Sequence, residues 1–172
     1  ERTRAAAAVD RALQCILACQ VPTHGRLTVW CQQYDALTLA PASARNYEMP
    51  ALSSGESARV MLFLMSLPHP SPAVVAAVKA AVAWCEKVAL PNATFRPAPD
   101  GSGRALLERP GAGPIWARYY DLLTERPIFG DRDKTIHDRL DELSRERRNG
   151  YAWYGVGPAP ALAEYAAWAR RH

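Results

Sequence analysis

The chain has 172 residues, enough for one domain with a real core, and its 49% hydrophobic and 22% charged residues exclude a disordered or fibrous chain. The formal charge of +4 comes mostly from scattered arginine with no basic run, so neither nucleic acid nor a membrane surface is the expected partner. Arginine's planar fork suits a carboxylate-bearing ligand, and no stretch approaches the ~20 apolar residues of a membrane span.

The first residues already read as helix, not as a signal peptide, so an element begun upstream is expected. Val9, Leu13, Ile16, Leu17 and Gln20 form one stripe of a helix over 4–20, stopped by Pro22 and Gly25. R-L-T-V-W-C (26–31) is β-prone and leads into a polar loop, Gln32 to Asp35. Ser53 with Glu56 has capping-box spacing before a buried helix carrying Val60, Met61, Phe63, Leu64 and Met65. Ser71 and Pro72 open a second helix that runs to about Val88. From Asn92 to Leu107, β-prone pieces around P-D-G-S-G predict a hairpin. Helices are then predicted over 116–124, over 135–148 with Ile136, Leu140 and Leu143 inward, and over 160–170. No internal repeat is read, and the class expected is mainly α.

The four cysteines, Cys15, Cys19, Cys31 and Cys85, lack zinc-site spacing and read as buried thiols, with Cys19–Cys31 the better-placed bridge if there is one. The four histidines are widely separated and read as surface residues. Standard nucleophile, zinc-protease, P-loop and dinucleotide signatures are absent. What stands out is polar residues set among aromatics at 30–35, 44–48 and 150–155. Read alone, Arg45 with Glu48 one turn on is an ion-paired loop anchor, Arg132 between Asp131 and Asp133 is a helix cap, and Trp153 and Tyr154 are core aromatics.

W-C-Q-Q-Y-D (30–35), L-x-P-x-x-A-R-x-Y-E (39–48), S-x-x-E-S (53–57), W-A-R-Y-Y-D (116–121) with R-P-I-F-x-x-R-D (126–133), and E-R-R-N-G-Y-A-W-Y-G (146–155) follow in that order. Together they resemble polysaccharide lyase family 10, the pectate lyases, from about Arg11 to Gly155. The resemblance implies a mainly α fold, an incomplete α/α toroid with a small hairpin around residues 94–107. It also implies that residues 1–172 form one domain, the C-terminal portion of a longer catalytic domain.

The implied chemistry is β-elimination of polygalacturonate: a base removes the C5 proton beside the uronate carboxylate and the C4 oxygen leaves. Calcium on that carboxylate would stabilise the developing charge. The resemblance places the base at Arg45, whose ordinarily very high pKa would have to be lowered by burial and a nearby cation. It places a carboxylate-gripping arginine at Arg132, with Gln33, Asp35, Arg118 and Lys134 as further substrate contacts. An extracellular polymer implies a secreted or periplasmic parent.

No metal ligands are named, because Asp10, Asp100 and Asp121 stand singly and calcium takes six to eight oxygens. The alternative is therefore a non-catalytic pectate-binding or helical interaction remnant lacking the calcium-binding half. In either case apolar helix faces are expected to need covering by an N-terminal half or by a second copy of the chain.

Overall fold

The computed structural model describes residues 2–45 and 47–172, the side chain of Arg2 excepted. Glu1, and Asn46 of the A-R-x-Y-E segment, lie outside the described residues.

Helix α1 (Arg2–Ala18) forms on its alanine-rich sequence, but only its last turns meet the protein. Leu13, Ile16 and Leu17 pack against the core, whereas Val9 is 51% exposed. Gln20 closes the segment, its amide donating to the Thr28 and Ala77 carbonyls at 2.9 Å each. The short strands β1 (Pro22–Thr23) and β2 (Arg26–Leu27) pair around Gly25. Strand β3 (Leu52–Ser53) runs into α2 (Ser54–Met65). The predicted capping box does not close there: the Ser53 hydroxyl contacts Glu56 and caps no amide of the helix.

Helix α3 (Pro72–Lys87) starts where the Ser71 hydroxyl accepts from the Val74 amide at 3.3 Å, with proline in its first turn. It buries Val74, Val78, Val82, Trp84 and Cys85 against α2. Strands β4 (Ala93–Pro97) and β5 (Arg104–Glu108) pair antiparallel as the hairpin that the turn residues predict.

Over 116–124 and most of 135–148 the sequence reading fails. Residues 116–124 form β6 (Trp116–Ala117), β7 (Tyr119–Tyr120) and a turn, where a helix was expected. Residues 135–148 hold β8's partner and only the beginning of a helix: β8 (Phe129–Gly130) pairs with β9 (Ile136–His137), a 3₁₀ turn spans Leu140–Glu142, and α4 is limited to Arg145–Gly150. Leu143 is buried as predicted, but Ile136 is 58% exposed. Aromatic residues favour extended backbone, and Asp121, Asp131 and Asp133 each accept backbone amides that a helix would have used internally. Strand β10 (Tyr154–Gly155) pairs with β6, and α5 (Ala159–Trp168) packs on α2.

The chain is thus 37% helix and 19% strand, with several two-stranded antiparallel sheets, so the mainly α class and the incomplete α/α toroid are corrected. Two apolar clusters result. One joins α2, α3 and the ends of α1 and α5; the other gathers Tyr119, Ile128, Phe129, Leu143 and Trp153.

An internal repeat runs through this arrangement. W-x-x-x-Y-D-x-L-T-x-x-P occurs at Trp30–Pro41 and again at Trp116–Pro127. Each tryptophan Nε1 donates at 2.7 Å to a carbonyl of the preceding helix, Ile16 or Cys85. Each tyrosine hydroxyl accepts from the amide three residues back, Cys31 or Ala117. Asp35 and Asp121 cap their turns through the same amides and threonine hydroxyls. Leu39 and Glu125, the residues after the threonines, both have φ +55°. The repeat went unread because sequence between the copies diverges, while the turn geometry is kept.

The cysteines are all free. Cys31 and Cys85 are buried, which pushes their thiols up to about 11 and about 12, while Cys15 is exposed and Cys19 half-buried. Among the described residues no helix is long and apolar enough to cross a membrane.

Candidate active site

Each copy of the repeat is followed, a few residues beyond its closing proline, by an arginine of the sequence reading: Arg45 after the first and Arg132 after the second. The two loops meet at Tyr47. Gly130 makes the meeting possible, because a Cβ there would collide with the Tyr47 carbonyl and lie 3.2 Å from the Met49 sulfur. The guanidinium carbons of Arg45 and Arg132 lie 5.0 and 5.3 Å from the centre of the Tyr47 ring.

Beneath them is Arg147, which sequence reasoning did not single out. It is buried, donates to the Gly130 carbonyl at 3.0 Å, and stacks on Tyr47, Tyr151 and Trp153 at 4.5, 4.0 and 4.8 Å. Its Nη2 is buried without a partner. Arg118 continues the series at 5.2 Å from Tyr151 and 5.4 Å from Tyr119, whose hydroxyl reaches Gln32. Arginines and tyrosines therefore alternate along one strip, from Arg132 through Tyr47, Arg147, Tyr151 and Arg118 to Tyr119.

Arg45, Arg118 and Arg132 each have a carboxylate partner. Arg45 pairs with Glu48, which is itself buried; Arg118 pairs with Glu56 at 2.8 Å; Arg132 meets Glu146 through two nitrogens at 2.6 and 3.0 Å. The hydrogen bond to Arg45 holds the Glu48 carboxyl below its ordinary range, and Glu48 raises Arg45 above its own. Glu146 likewise raises Arg132. Burial would lower Arg118, but the Tyr119 hydroxyl and Glu56 more than offset it. Arg45, Arg118 and Arg132 are thus held in the protonated form, the state suited to gripping carboxylates and opposite to the lowering that proton abstraction by Arg45 calls for.

Arg45, Arg118 and Arg132 are thus brought together. Lys134 lines a small recess beside Tyr47 and Gly130, at the margin of the strip. Asp35 is spent on capping its own exposed turn, and Gln33 makes no side-chain hydrogen bond to the strip arginines among the described residues; only its carbonyl is engaged, by Ala42 at 3.0 Å. Glu48, Tyr47, Arg147 and Tyr151 were missed as site residues, although all four lie inside the quoted motifs.

A family model described as pectic acid lyase matches residues 1–160. This chain belongs to the pectic acid lyase family. Two solved structures of a Family 10 polysaccharide lyase from Cellvibrio cellulosa are similar to it, each at 36% identity. One, an aspartate-to-alanine mutant in complex with trigalacturonic acid, gives a TM-score of 0.88 over 96% of this chain and 52% of its own. The other gives 0.87 over 96% and 51%. The chain therefore spans about half the length of those it matches. No curated protein sequence matches it.

Carboxylates of this pectic acid lyase family chain are committed elsewhere than to a metal ion. Among the described residues no three His, Cys, Asp or Glu side chains converge as a metal site. Asp35, Asp121 and Asp133 spend oxygens on their own turns, and Glu48, Glu56 and Glu146 face arginines. These residues do not fit a calcium cage.

Proposed function

We propose that this chain forms the arginine-bearing wall of a cleft that binds polygalacturonate and cleaves it by β-elimination. The observation that carries the reading is the convergence of Arg45, Arg118 and Arg132 on two tyrosine rings, within a chain similar to a lyase solved with trigalacturonic acid. Planar guanidinium groups along one strip suit the regularly spaced carboxylates of a uronate chain, and Arg132 is assigned to grip one of them.

Arg45 is assigned as base. In its neutral form it takes the C5 proton, the C5–H electron pair becomes the C4–C5 double bond, and the C4–O bond breaks with the leaving oxygen taking up a proton. Because Glu48 favours the charged form of Arg45, the rate should rise into strongly alkaline solution. Residues 1–172 are read as one domain, the C-terminal portion of a longer lyase domain, in a protein exported to the periplasm or the cell exterior. Calcium, which the family resemblance implies, would draw ligands from the substrate's own carboxylates.

The test is the ultraviolet absorbance of the unsaturated product when the folded chain meets polygalacturonate at alkaline pH. Arg45→Ala should lower the rate by roughly 10²–10⁴, the usual contribution of a general base, with the circular dichroism spectrum unchanged. The engagement of Asp35, Glu48, Glu56 and Glu146 in their own turns and ion pairs favours a second reading, a pectate-binding module without cleavage. Binding of trigalacturonic acid with no product from the intact chain would select it.

A further inference from the structure

A second arginine cluster lies on the other side of α4 in the sequence sense: Glu146 and Arg147 serve the strip, whereas Arg148 lines a cleft of about 650 Å³ between the β4–β5 hairpin and the 124–141 segment. That volume falls within the ~300–1,000 Å³ range of small-ligand sites. Arg104, Arg126, Arg139 and Arg148 line it, with Leu106, Leu140 and Tyr154 between them, and it shares no lining residue with the strip.

Its charges are arranged differently. Arg139 is paired with Asp141 and lies 3.9 Å from Glu142, but among the described residues no carboxylate lies within ion-pair distance of Arg104, Arg126 or Arg148. Arg104 lies 4.1 Å above the Phe95 ring, and Arg126 is exposed. Arg148 lies over Gly103, donates to the Ser102 carbonyl, and has a buried Nε without an acceptor. Asn149 accepts from the Arg104 amide at 2.7 Å, so the hairpin tip is fastened to α4 and the wall of the cleft is built. Asp138 and Asp141 are the carboxylates of the lining, fewer than the guanidinium groups they face.

We propose that this cleft is a second binding site for a carboxylate-bearing oligosaccharide, taking a short uronate stretch apart from the strip that holds Arg45 and Arg132. Unpaired guanidinium groups supply the carboxylate contacts, and the Leu106, Leu140 and Tyr154 surfaces accept the C–H faces of sugar rings, which a bare inorganic anion would leave unused. The cleft's ligand class rests on the polygalacturonate reading, but its occupancy can be measured separately.

The experiment is a titration of the ¹⁵N-labelled chain with trigalacturonic acid near neutral pH, following backbone amides of 102–106, 124–126 and 138–141 against those of 43–45, 47–48 and 130–135. The proposal expects saturable shifts in the first group that persist in the Arg45→Ala/Arg132→Ala variant. Arg126→Glu, at an exposed side chain, should weaken them about tenfold, the loss of one charge-assisted contact, while the second group responds as in the parent chain. Cleft shifts that are absent at millimolar ligand, that ignore Arg126→Glu, or that inorganic phosphate reproduces at equal concentration would overturn it. Saturable cleft shifts beside a silent second group would keep this site and sink the strip as the polygalacturonate site.

Discussion

Two sets of arginines meet α4, and the protein treats them in opposite ways. Along the strip, every exposed guanidinium has a carboxylate and an aromatic ring, and a buried cation, Arg147, lies underneath. Around the cleft, three of four have no carboxylate and one stacks on a ring. Side chains held at both ends keep one geometry, as chemistry at a defined atom requires. Unpaired side chains hold their charge available, as binding requires. The contrast suggests that the strip is preorganised for reaction and the cleft for retention.

The largest effect expected from breaking this contrast is at Arg147. Its replacement by alanine removes three ring contacts, leaves the Gly130 carbonyl without its donor and opens a cavity under Tyr47. A loss of roughly 3 kcal/mol in urea unfolding is expected, on the order of a buried large-to-small change. Arg126→Ala in the cleft should stay within about 0.5 kcal/mol. Equal losses at the two positions would dissolve the distinction.

Next is Gly130→Ala, which overpacks the Tyr47 carbonyl and should cost about 1–3 kcal/mol. It should also prise the Arg45 loop from the Arg132 loop, weakening trigalacturonic acid at the strip while leaving the cleft amides unshifted. Smaller still are the twin turns. Asp35→Ala and Asp121→Ala each delete the same hydrogen bonds, so each should lose about 1 kcal/mol, and a calorimetric comparison that found one neutral would show the repeat to be one of sequence only.

How much was legible follows where backbone information is local. Ser71-Pro72 fixes the start of α3, and P-D-G-S-G fixes the hairpin, because cap and turn chemistry act within a few residues. Residues 116–124 and 135–148 were misread as helices because their apolar spacing is set by two-stranded pairings outside each stretch, Leu52 with Tyr120, Trp116 with Gly155 and Gly130 with Ile136. The same distance hid the site. Arg45 and Arg132 were named through resemblance, yet nothing local says that Gly130 brings them onto one ring, or that Arg147 belongs beneath it. The repeat was present in the letters at Trp30 and Trp116, and only the matching hydrogen bonds make it evident.

Glu48 is where the account is most exposed. Its buried carboxylate favours the protonated form of Arg45, so replacing the charge without changing the shape should lower the proton affinity of Arg45. The direct measurement is the pH dependence of polygalacturonate elimination by the parent chain and by Glu48→Gln. The account predicts that the alkaline rise in rate moves to lower pH in the variant; a profile that stays in place, in a variant that is folded and active, would contradict the assignment of Arg45 as the base.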